Sequence, residues 1–123
     1  MKLYTSMPSS LKTFYNNELN QSANNFTIGD LQKSWFHLER AHILGQPYPI
    51  AHSFVHWKML IFGFKTKNTK EIIGQIPRLL VGGIKSFVGI IPTGNTGGSN
   101  VPPLQSMAIS EDLLKVIKQN SKL

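Results

Sequence analysis

The sequence predicts an all-α fold, a small antiparallel bundle of about four to five helices with a Gly-rich loop before the last one. Three observations carry this. Apolar residues recur at spacings of three and four. No stretch alternates polar and apolar residues with the period of a strand. Turn formers cluster between the periodic segments, in SANNFTIGD, GQPYP and PTGNTGGSNVPP.

The elements follow in order. PSSLKTFYNNELNQSANNF (8–26) is a first helix, with Leu11, Phe14, Tyr15, Glu18 and Ser22 on one face. Asp30 or Thr27 can cap the second, LQKSWFHLERAHILG (31–45). Its stripe is Leu31, Trp35, Leu38 and His42, and Gly45 ends it. Pro47 and Pro49 fill the next connection and start IAHSFVHWKMLIFGF (50–64). There Phe54, Val55, Trp57, Leu60, Ile61 and Phe62 point in nearly all directions, which predicts a central, buried helix. Thr69 is placed to cap KEIIGQIPRLLVGGIKSFVG (70–89), which Pro77 should kink. PTGNTGGSNVPP (92–103) suits neither helix nor strand. Ser110 opens EDLLKVIKQN (111–120), with acids in its first turn and lysines near its end.

The chain's 123 residues are expected to form one helical domain, 1–123. Apolar residues make up 41% and charged residues 15%, a balance that suits a compact core. The absence of cysteine excludes disulfides, thiolate metal sites and thiol nucleophiles. The N-terminal stretch has no signal-peptide core, and the most apolar window, 72–91, is broken by Gln75, Pro77, Arg78 and Lys85. The expectation is no transmembrane segment and a cytoplasmic location. Net charge is +7 and concentrated in the second half, densest in KTKNTK (65–70). That run reads as a solvated linker, or as a contact for nucleic acid, an anionic membrane or an acidic protein. No specific nucleic-acid motif is present. A homodimer is left open.

Every histidine falls in HLERAHILGQPYPIAHSFVHW (37–57): His37, His42, His52 and His56. Glu39 and His42 form a Glu-x-x-His pair on one helical face. His42 shares the apolar stripe, so it points inward. His52 and His56, four apart, share a face of the next helix. The short connection makes the two helices antiparallel neighbours, so the two faces can meet. Glu18, set among apolar residues, is costly to bury unless paired, and could add a carboxylate. His37 is the weakest member, because it lies about 140° from His42 around a regular helix. The expected metal ligands are therefore His42, His52 and His56, with Glu39 or Glu18 as oxygen donor and His37 peripheral. The competing reading is hydrogen-bonded core histidines. Without cysteine, and with few carboxylates, the site suits a divalent transition metal (Zn²⁺, Fe²⁺, Ni²⁺ or Cu²⁺) better than Cu(I) or a carboxylate-bridged di-iron centre.

WFHLERAHILGQ (35–46), HSFVHWKML (52–60), GQIPRLL (74–80) and PTGNTGGSN (92–100) together resemble a family of small bacterial proteins catalogued as a domain of unknown function. The resemblance runs in order over nearly the whole chain. His37, Glu39, His42, His52 and His56 match its motifs without departure, and Glu18 matches more loosely. It implies no activity. The family's association with heavy-metal resistance genes points to transition-metal handling.

Three functions stay open at this stage: a small metal-binding protein that stores, senses or handles a metal ion, a metal-dependent enzyme activating water or O₂, and a non-catalytic helical interaction module. The Gly-rich loop is expected to be a rigid connector. Its alternative is an anion-binding nest of backbone N–H groups.

Overall fold

The computed structural model describes residues 6–87, 95–101 and 107–121, with side chains omitted over 80–87. Five helices make up the regular structure of these residues, and no strand occurs among them. They are α1 (Ser9–Thr27), α2 (Leu31–Gly45), α3 (Pro49–Lys65), α4 (Thr69–Phe87) and α5 (Glu111–Asn120).

The chain turns back on itself three times. α1 and α2 pair antiparallel, and their register is marked by Ser22 and Ser34, whose hydroxyls lie 3.1 Å apart. The Ser34 hydroxyl donates to the Ser22 carbonyl at 2.8 Å. Asp30 starts α2 by accepting a hydrogen bond from the Lys33 N–H at 3.0 Å, so it, and not Thr27, is the cap. Pro49 sits in the first turn of α3, where a missing N–H costs nothing. The cap of α4 is Asn68, whose Oδ1 accepts from the Glu71 N–H at 3.1 Å, and Thr69 is already helical. The one-residue difference has a simple reason: an Asx side chain reaches the orphan N–H as well as a hydroxyl does. α4 continues through Pro77 to Phe87. Residues 88–89 of the expected helix, and 92–94, 102 and 103 of the Gly-rich stretch, lie outside the described residues.

The core forms where α1, α2 and α3 meet. Leu11, Tyr15, Leu38, Ala41, Leu44, Val55 and Met59 are its buried side chains, and Leu113 of α5 completes it. Tyr15 also crosses from α1 to α3, donating to the Ala51 carbonyl at 2.8 Å. Burying side chains of this size contributes roughly 1.5–3 kcal/mol each. The expectation that α3 is buried all round does not hold. Phe54 is 44% exposed and Trp57 47%, and Ile50 and Phe64 are exposed as well. α3 packs on α2 and α4, and among the described residues no helix covers its remaining face. Periodicity shows that a face is apolar, not that the fold supplies a partner for it.

Polar contacts hold α5 in place. Glu18 is buried on α1 and accepts from Arg40 Nε at 2.9 Å. Arg40 reaches on through Nη2 to Asp112 at 2.6 Å, joining α1, α2 and α5. Hydrogen bonding to Arg40 holds the Asp112 carboxyl well below the usual carboxylate range, with Ser110 adding to the effect. Because Glu18 is buried while Asp112 is largely exposed, the two ends of this network differ in weight. Arg40→Met leaves the buried Glu18 with the His37 ring but without its arginine, and should lower unfolding free energy by about 3 kcal/mol. Asp112→Asn should lose about 1 kcal/mol or less. Urea denaturation of the two variants checks the order, and equal losses would contradict it.

Candidate metal centre

α2 and α3 cross with their histidines facing each other. His42 is on the inner stripe of α2, and His52 and His56 are one turn apart on the facing side of α3. All three are buried, at 2%, 4% and 3% exposure. Their Nε2 atoms form a near-equilateral triangle. His42 to His52 is 3.0 Å, His42 to His56 is 3.1 Å, and His52 to His56 is 3.1 Å. Among the described residues these three side chains form a group able to hold a metal ion.

The outer ring nitrogens fix how the inner ones present themselves. His42 Nδ1 lies 2.7 Å from the Asn95 backbone carbonyl, which can only accept. His42 therefore carries its proton on Nδ1. His56 Nδ1 lies 2.6 Å from Gln75 Oε1. The Gln75 amide cannot be turned round, because its nitrogen donates to Glu71 Oε1 at 3.0 Å and to the Gly97 carbonyl at 2.8 Å. His56 is thus also protonated on Nδ1. In the neutral rings, Nε2 of both residues is then an acceptor. Two lone pairs face each other across 3.1 Å in a buried site. That arrangement is repulsive unless a cation lies between them or His52 Nε2, at 3.0 and 3.1 Å from the two, donates a proton to them. Partner groups of this kind, on the far nitrogen, are also what orients histidine metal ligands.

The loop over 95–101 closes the site from the side of α4. Gly97 has φ +86°, and a Cβ there would lie 2.6 Å from the His42 ring. Only glycine meets both demands. A Cβ on Gly74 would lie 2.4 Å from that of Ser99, so α4 and the loop also touch closely. Arg78 donates to the Val101 carbonyl at 2.7 Å. The Ser99 N–H donates to the Glu71 carboxylate at 2.9 Å, and the Ser99 hydroxyl hydrogen-bonds to the same group. The loop does bind an anion through its backbone, and that anion is the chain's own Glu71. Over 95–101 it is a docked connector.

The other candidate residues lie apart from the triad. His37 Nδ1 is 2.7 Å from Glu18 Oε2, and Glu18 Oε1 takes Arg40, so both belong to the cluster that holds α5. Glu39 lies on the triad's side of α2, outside the group of three. Burial raises its pKa, the Thr96 and Trp35 side chains lower it, and the charge of Glu71 raises it. Sequence reasoning had passed over Gln75, Asn95 and Glu71. A buried Gln in an apolar helix was the one available signal. Lys65, Lys67 and Lys70 of the basic run are exposed.

This architecture, a helical bundle with three inward histidines held by an amide and a carbonyl, defines a class of protein with a buried polar centre. The chain belongs to the family described as a protein of unknown function, DUF3703, whose sequence model matches residues 9–117. No curated protein and no solved structure matches it. Among the described residues no helix is long and apolar enough to cross a membrane.

The raised pKa of Glu39 carries a sign. The folded chain holds this proton more tightly than the unfolded chain does, so stability falls as pH rises above the ordinary value of 4.5. Glu39→Gln should raise the melting temperature at pH 7 and give little change near pH 4, where the wild-type group is already protonated. A variant less stable than wild type at pH 7 would show that the ionised carboxylate has a favourable partner.

Proposed function

We propose that this protein binds a divalent transition metal ion through Nε2 of His42, His52 and His56, and that its role is to hold or hand on that ion. The observation that carries the reading is the triangle of three buried Nε2 atoms on His42, His52 and His56, each within 3.1 Å of the other two. One ion held by the three Nε2 atoms would answer the lone pairs of His42 and His56 at once. His42, His52 and His56 would hold the ion through Nε2, at the usual metal–imidazole distance of about 2.0–2.1 Å. Three neutral nitrogens with no sulfur suit Zn²⁺, Fe²⁺, Ni²⁺ or Cu²⁺. Among the described residues the group contains no acid or nucleophile besides the imidazoles, which favours holding an ion over proton-transfer chemistry. Glu39, three residues before His42 on α2, lies outside this group of three. Glu18 and His37 would have to leave each other and Arg40 to join it.

Two measurements test this. Elemental analysis of protein purified without a histidine tag should find one transition-metal ion per chain after reconstitution. Added Zn²⁺ or Ni²⁺ should raise the melting temperature, with stabilisation of about 4 kcal/mol when free ion exceeds Kd a thousandfold. His42→Ala should abolish this gain and His37→Ala should leave it. Gln75→Ala, which frees the His56 ring, should weaken affinity about 10–100-fold. If no ion shifts the wild-type transition, the histidines are a hydrogen-bonded core and the proposal fails.

A further inference from the structure

α1 and α3 run parallel on either side of α2, tied together near their starts by Tyr15 and near their ends by the Phe26–Phe62 ring contact at 5.8 Å. Between these ties a furrow opens over α2. Its volume is about 600 Å³ at the Phe26 end, and a second hollow of about 410 Å³ continues it toward Tyr48, sharing Asn16, Leu19 and Phe54. Leu19, Leu38, Phe54, Ile61 and Phe62 give it an apolar lining. From Lys12 to Phe26 the wall of α1 is about 21 Å long.

The charge on this furrow has one sign. Lys12, Lys58 and Lys65 line it, and none of the chain's six acidic residues does. The acids are committed elsewhere. Glu18 and Asp112 pair with Arg40, Asp30 caps α2, Glu71 lies under the loop, Glu39 faces Thr96, and Glu111 starts α5. The lysines also lie over the apolar rim. Lys58 Nζ is 5.2 Å from the centre of the Phe54 ring, and Lys65 Nζ is 5.2 Å from that of Phe26. A ligand entering here meets apolar floor and cationic edges together.

We propose that this furrow docks an acidic amphipathic helix of a partner protein. A helix of about four turns matches the length of the α1 wall. Its apolar stripe would cover Leu19, Phe54 and Ile61, and carboxylates on its flanks would meet the three lysines. A second copy of this chain fits poorly, because two chains of net charge +7 repel and the only helix start rich in acids, that of α5, is already packed on α1 and α2. A bilayer surface fits poorly as well, because the furrow is concave.

The test uses the full chain and a labelled two-heptad peptide with leucines on one face and glutamates flanking them. Fluorescence anisotropy should show saturable binding that weakens with salt. A peptide of the same composition with shuffled leucines should bind at least about tenfold more weakly. Lys58→Glu with Lys65→Glu should cost about tenfold for the glutamate peptide and favour its lysine counterpart. Both lysines are exposed, and circular dichroism checks that the double variant keeps its helices. Failure to bind at about 100 μM, equal binding of the shuffled peptide, or indifference to charge reversal would overturn the proposal. So would binding to vesicles of mixed neutral and anionic phospholipid in place of the peptide.

Discussion

The arrangement of this molecule depends on two hydrogen bonds made on the outer sides of imidazole rings. The Asn95 carbonyl holds His42 and the Gln75 amide holds His56, and each leaves the inner nitrogen without a proton. Neither partner comes from the helices that carry the histidines. Gln75 belongs to α4 and Asn95 to the loop before α5. The hairpin of α2 and α3 brings the three rings together, and the second half of the chain decides what those rings present.

Glu71 is the counterpart on the other side. It is a buried carboxylate whose neighbours are an amide, a backbone N–H and a hydroxyl, with no lysine among the hydrogen bonds it makes. Such a group is tolerated because it is fully hydrogen-bonded. It also does two jobs. One oxygen fixes the orientation of Gln75, and the carboxylate as a whole anchors the loop that touches His42. The charge of Glu71 is therefore linked to the triad twice, through the Gln75 amide to His56 and through the loop to His42.

Much of this could be read from the sequence where the signal is local. Asp30 before an apolar stripe and Gly45 after it gave the limits of α2, and acids before Leu113 gave those of α5. The position of His42 on the stripe of Leu31, Trp35 and Leu38 placed it inward, and the angle between His37 and His42 put them in different surroundings. What could not be read was carried by segments distant in sequence. Gln75 and Asn95 have no periodic partner, and the meaning of Gly97 lies in the ring it touches. Glu18 looked like an oxygen donor for the triad because nothing in α1 says that Arg40, one turn beyond His37, will reach it first. The open face of α3 escaped notice for a similar reason: its residues are as apolar as a buried helix needs.

The three inner nitrogens belong to residues only ten and four positions apart, on two helices joined by a three-residue connection. Bringing such near neighbours together costs little loop-closure entropy. An ion that favours this triad therefore finds part of its binding set in the unfolded chain as well. Thermal protection then falls somewhat short of the folded-state affinity without vanishing, since Gln75 and Asn95 orient the rings only in the folded chain. The same nearness gives the folding chain a head start. An α2–α3 hairpin clasped by an ion is a local structure, and α4 and the loop would have a preformed surface on which to dock.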